Sequence, residues 1–209
     1  MSVIAEGKLK LLDAALKLIP RSRSLTSLGL RELAREAGLN PNTFYRHFSG
    51  IEDFGLFVLE HVAKEVKQQV RLLRKTAASQ GQATQDTVGY VFGYFLNNPA
   101  VVHVALQELH GASPRLRQAM RDQLDASARE MAEDVIERGL APGLDTDAVH
   151  EISRNTIRHV LMRGFDYIEC PAQRDAIQAE TERFILRQFV GAIAEQEAPD
   201  ILVRLQKRR

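Results

Sequence analysis

The 209-residue sequence holds a single cysteine, Cys170, so no disulfide can close within the chain. This fits a reducing compartment and an ordinary buried thiol at a helix junction. No apolar run approaches the ~20 residues of a membrane span, and residues 1–10 lack the apolar core of a signal peptide. The expectation is a cytoplasmic protein with no membrane partner. Catalytic signatures are missing as well: there is no Gly-x-Ser-x-Gly elbow, no phosphate-binding P-loop and no Gly-x-Gly-x-x-Gly. His103, His110, His150 and His159 lack the close spacing of metal ligands, so they read as hydrogen-bonded histidines. Neither a metal nor a cofactor is expected, and enzymatic activity is not. With no alternating strand pattern and no internal repeat, the fold class is all-α.

What is present is uneven. A net charge of +1 conceals eight Lys/Arg against four acids in residues 1–50, or +4, while residues 51–209 carry −3. Phosphate affinity should therefore reside at the front of the chain and depend on salt. The terminal Lys207-Arg208-Arg209 reads as a solvated tail.

That basic front contains an unusual run, from Leu28 to Phe48. Leu30, Leu33, Ala34 and Ala37 recur at helical spacing, with Arg31, Glu32, Arg35 and Glu36 on the other face. Gly38 suits the positive φ that often ends a helix, and Asn40-Pro41 is a capping side chain followed by a first-turn residue. Phe44 and Phe48 would anchor the second helix, leaving Asn42, Thr43, Tyr45, Arg46 and His47 outward. Amides and guanidinium suit base edges, and hydroxyls and imidazole suit phosphate oxygens. Arg31, Asn40, Pro41, Asn42, Thr43, Tyr45, Arg46 and His47 are thus the candidate DNA-binding residues of a helix-turn-helix.

Arg31 to Leu39, followed by Thr43 to Phe48 with its Tyr45, His47 and Phe48, resembles the N-terminal domain of the TetR family of bacterial repressors. The resemblance implies a three-helix head in residues 1–50, a ligand-binding and dimerisation domain in residues 51–209, operator DNA as partner, and a homodimer. Two positions depart from the usual pattern: Gly29 stands where relatives commonly place a capping hydroxyl, and Ile51 stands at about the position where many relatives have a phosphate-touching lysine. Ser27 to Glu32, Phe44 to Phe48, and Asn97-Asn98-Pro99 with Glu108, Gly111 and Ser113 are similar to a narrower group, the TetR-type repressors of unsaturated fatty-acid synthesis. That likeness spans about residues 21–120 and implies an apolar effector, an acyl-CoA or fatty acid. A regulator of efflux or catabolic genes answering to a drug-like metabolite is the alternative.

Along the chain, the first helix is expected over about 6–19, with Leu9, Leu12, Leu16 and Ile19 inward and Pro20 as its stop, followed by a polar connection over 21–27. A long helix should run over 51–76, striped by Phe54, Phe57, Val58, Val62, Val66, Val70 and Leu73. Residues 77–83, with Gly81, read as a mobile linker. Asn98-Pro99 and Ser113-Pro114 open further helices, the second ending at Gly139. Two last helices, about 146–169 and 171–195, carry wide apolar stripes that suggest a second covered face. Val160, Ile177, Phe184, Ile185 and Phe189 are the candidate dimer contacts. Phe92, Phe95, Val102, Leu106, Val160 and Phe165 are candidates to line an apolar effector site. Arg115 and Arg117 read as a solvated face, with a CoA phosphate as the sharper alternative.

Overall fold

Within residues 6–19 and 24–198, which the computed structural model describes, the chain forms α1 (Glu6–Leu18), α2 (Leu30–Glu36), α3 (Pro41–Tyr45), α4 (Ile51–Thr76), α5 (Gln80–Asn97), α6 (Pro99–His110), α7 (Pro114–Glu137), α8 (Thr146–Glu169) and α9 (Arg174–Glu197). Among the described residues there is no strand, and no helix is long and apolar enough to cross a membrane. The expected stop at Pro20, the basic Arg21 and Arg23, and the terminal Lys207-Arg208-Arg209 lie outside the described residues.

Helix ends follow local chemistry closely. Gly38 has φ 66° and Gly139 has φ 58°. Each closes a helix with the same pair of bonds: Leu39 N–H to Ala34 O and Gly38 N–H to Arg35 O after α2, and Leu140 N–H to Val135 O and Gly139 N–H to Ile136 O after α7. That is the Schellman arrangement, which satisfies carbonyls left over at a helix end. The Asp145 carboxylate accepts from Ala148 N–H at 2.7 Å to start α8, and Ser113 Oγ accepts from Leu116 N–H at 3.2 Å to start α7.

Four sequence expectations need correction, the first being Cys170, which is exposed rather than buried. The inward stripe of α1 is Leu11, Leu12, Ala15, Leu18 and Ile19, while Leu9 is 37% exposed. Leucines occur on more than one face of this helix, and packing against α2 and α6 selects which is covered. The seven-residue linker shrinks to 77–79, because Ser79 Oγ accepts from Gln82 N–H and starts α5 at Gln80, with Ala77 and Ala83 buried. The last helix starts at Arg174, not Pro171, because Pro171–Gln173 form a 3₁₀ turn first.

Contacts divide the chain into two units, residues 1–66 with 95–123, and residues 67–94 with 124–209. In the first, α1, α2 and α3 close around Leu11, Ala15, Leu33, Phe44, Phe48 and Phe54. In the second, α8 packs along α9, burying Val149, Ile152 and Leu161 with Ile177, Ile185 and Phe189. There a buried Arg74 donates to Asp134 at 3.1 Å, and Lys67 pairs with Glu130 at 3.2 Å, tying the end of α4 to α7. A buried pair of this kind is costly to break from one side, since the abandoned charge stays desolvated.

Candidate DNA-binding head

The head is built from short-range signals. Asn40 Oδ1 accepts from Asn42 N–H at 2.9 Å, and Pro41 follows as the first helical residue, so α3 starts where a capping amide and a fixed φ coincide. Phe44 is fully buried and Phe48 is 4% exposed. Both rings meet Phe54 of α4, at 5.8 and 5.1 Å between centroids, and lie 5.5 Å from each other. Lys8 of α1 lies 5.0 Å over the Phe48 ring and 5.4 Å over that of Phe57, closing the cluster from the other side.

With the phenylalanines turned in, the opposite face is open. Asn40, Pro41, Asn42 and Arg46 are exposed, as is Arg31 on α2, and Tyr45 is 62% exposed. The Tyr45 ring stands edge-on to Phe44 at 5.6 Å, so its hydroxyl is held outward by a fixed ring. Thr43 and His47 are half-buried. The α-helix stops at Tyr45, and Arg46 and His47 continue as a turn, with His47 N–H and Phe48 N–H both donating to Phe44 O. His47 is less free than its sequence position suggests. A Cβ added to Gly7 would fall 2.6 Å from His47 Nε2, so the imidazole rests against bare α1 backbone.

Residues 11–54 match the sequence profile of bacterial regulatory proteins, tetR family. Those residues carry the sequence pattern of that family's DNA-binding domain. The rest of the chain shares the TetR fold with solved structures of low sequence identity. The fatty acid degradation regulator FadR from Bacillus halodurans superposes with a TM-score of 0.74 at 16% identity, over 90% of this chain and 97% of that one. FadR from Bacillus subtilis, solved in complex with stearoyl-CoA, gives 0.70 at 17%, over 88% and 98%. A tetR-family transcriptional regulator from Streptomyces coelicolor gives 0.72 at 14%, over 97% and 89%.

Outside the head, the candidate effector residues divide between the units: Phe95, Val102 and Leu106 fall in the first, and Phe92, Val160 and Phe165 in the second. Phe92 is fully buried, with its ring 4.8 Å from that of Tyr167. Among the candidate dimer residues, Ile177, Ile185 and Phe189 are each at most 4% exposed in one chain. They are core rather than a face for a second copy, because α8 already covers that side of α9. Phe184 is half-buried, stacked on His159 with centroids 3.8 Å apart. Burial, aided by the nearby Arg163 cation, holds the His159 imidazole below its ordinary pKa. The open apolar side chains on this pair are Met162, 55% exposed, and Val190, 65% exposed.

Arg115 is exposed, whereas Arg117 is committed to the chain itself, its Nη1 donating to Gly111 O and Ala112 O. A buried carboxylate, Glu108, stands out beside them at 1% exposure, and burial pushes its pKa up. The sequence signal for it was an acid on the apolar stripe Val101, Ala105, Glu108.

Proposed function

We propose that the protein is a dimeric TetR-type transcription regulator that inserts α3 and the following turn into the major groove and releases or grips its operator in response to an apolar acyl effector. The observation that carries this reading is the two-sided recognition segment, with Phe44 and Phe48 buried beneath exposed Asn42, Tyr45 and Arg46. Such a segment offers amide, hydroxyl and guanidinium groups to base edges and phosphates while its register stays fixed from below. Two copies related by a two-fold axis would address half-sites roughly 34–36 Å apart. Their contact would form on the outward sides of α8 and α9, around Met162 and Val190, with Val160 and Phe184 at its edge.

The acyl effector is supported by the FadR structure that holds stearoyl-CoA, a likeness of fold. An effector acts only through different affinities for the two arrangements of the heads, and α4, which has residues in both units, is the continuous element along which that difference would travel.

Tyr45→Ala and Arg46→Ala test the reading. On a duplex that the wild type enriches from a random pool, each should cost about tenfold or more in affinity, with the melting temperature unchanged. Arg46→Ala should also lower the salt slope by about one if it touches phosphate. Wild-type affinity in both variants would overturn the recognition assignment. Native mass spectrometry of the purified protein should show a dimer carrying an acyl-CoA or fatty acid, and a drug-like mass in its place would favour the efflux-type alternative.

A further inference from the structure

Glu108 is an acid on an apolar helix face, and it is 1% exposed. A carboxylate stays in such a place only when hydrogen bonds compensate for lost water. Its Oε1 accepts from Leu25 N–H at 2.7 Å, across 83 residues of sequence. Leu25, also 1% exposed, opens the 3₁₀ turn Leu25–Ser27 that leads the chain into α2. Its N–H belongs to the set of donors that the start of a helical turn leaves without a partner. Glu108 therefore supplies from α6 a cap that the turn's own N-cap residue, Ser24, does not provide with its side chain.

Neighbouring contacts fix the carboxylate's surroundings. Ser113 Oγ donates to Glu52 Oε1 at 2.5 Å, joining the start of α7 to the first turn of α4. Leu116, fully buried, packs on Gly55, where an added Cβ would come within 3.0 Å of its Cδ2 and 3.6 Å of Leu25 Cδ1. At Gly111 an added Cβ would lie 2.9 Å from the Gln107 carbonyl oxygen and 3.1 Å from Glu108 Oε2, so the bare backbone there leaves room for both the α6 carbonyl and the carboxylate. The apolar contacts at Leu116 resist separation but are non-directional, whereas the bond from Leu25 to Glu108 fixes direction.

We infer that Glu108 is a positioning residue for DNA binding: its carboxylate, carried on α6, holds the turn at Leu25–Ser27 and thereby sets the angle at which α2 and the recognition segment present themselves. The inference rests on the DNA-binding reading of the head and adds to it the contact that orients that head on α6. Glu108 touches no DNA in this scheme; it acts through the backbone of Leu25.

The test uses the full chain and two variants of similar side-chain volume. Glu108→Gln keeps a carbonyl oxygen for the Leu25 N–H, while Glu108→Met fills the space and removes the acceptor. Three readings are taken on each: affinity for the duplex enriched by the wild type, affinity for a scrambled duplex, and amide hydrogen exchange at Leu25. The Met variant should lose about tenfold in specific affinity, with faster exchange at Leu25 and unchanged binding to the scrambled duplex. The Gln variant should stay within about threefold of the wild type on all three. A Met variant that binds the enriched duplex like the wild type overturns the inference, as does an equal loss on both duplexes, which marks a merely structural role. If the Met variant does not fold, Glu108→Asp keeps the carboxylate but draws it back by one methylene from the Leu25 N–H. The same selective loss with faster Leu25 exchange is then expected, and no change in either overturns the inference. A wild type that enriches no duplex sinks the DNA-binding reading and this inference together, whereas specific wild-type binding with an unaffected Met variant sinks the inference alone.

Discussion

The helix-turn-helix and the α8–α9 pair are both helices striped with aromatic and aliphatic residues, yet one could be read from sequence in detail and the other only in outline. In residues 30–48 each decision is local. Gly38 turns because it adopts φ 66°, Asn40 caps because its Oδ1 reaches a backbone N–H two residues on, and Phe44 and Phe48 fall inward because they are four apart. In α8 and α9 the decision about which side of a stripe meets solvent is made by the other helix. Ile177, Ile185 and Phe189 read as a face for a second copy, but α8 covers them, and the open positions are Met162 and Val190, each of them adjacent in sequence to a buried residue. Residues close in sequence report on their own backbone; a surface shared with a partner depends on packing that periodicity does not encode.

The same distinction explains what was missed in the head. The 3₁₀ turn before α2 and its cap were invisible in the local sequence, because the acceptor for Leu25 N–H comes from Glu108, far along the chain. Glu108 entered the sequence reading only as a point of family likeness, and Ser113 as that and as a helix start; the bonds from Leu25 to the first and from the second to Glu52 give them a physical role. Leu9 was misplaced for a related reason: α1 offers leucines in several directions, and its neighbours choose among them.

If the head's order truly comes from its two anchors, removing one should have the largest effect of any single change there. Phe44→Ala deletes a fully buried ring that touches Phe48 and Phe54, and a loss of about 3–5 kcal/mol in the stability of the first unit is expected. Chemical denaturation followed by circular dichroism would show an early transition, and binding to the enriched duplex would vanish with it. Retention of both would mean that the recognition segment is held by something other than its phenylalanines.

The contrast within α9 can be sharpened by one step in sequence. Val190→Glu places a charge on a side chain that is 65% exposed in the single chain, so the folded protomer should lose little, within about 0.5 kcal/mol. Charge at the centre of an apolar contact between copies is far more damaging, and the mass measured by light scattering should fall from dimer to monomer at micromolar concentration. A dimer that survives Val190→Glu and Met162→Glu together would move the interface off these two helices.

The smallest expected effect lies at Gly29. Gly29 is the N-cap of α2, with φ −72° and ψ 125°, and makes no side-chain capping bond. That backbone suits any L-residue, and an added Cβ would meet only Glu32, at an ordinary 3.7 Å. Gly29→Ser should therefore be accepted without strain. A capping hydroxyl and the loss of glycine's freedom in the unfolded chain each contribute a few tenths of a kcal/mol, so a gain of about 0.5–1 kcal/mol is expected by denaturant titration. The same hydroxyl stands at the start of a helix whose Arg31 is exposed beside it, where it can also donate to a DNA phosphate. Tighter operator binding with a steeper salt dependence would place α2's first turn on the DNA backbone; greater stability with unchanged affinity would confine the serine to capping and leave the phosphate contacts to the recognition segment.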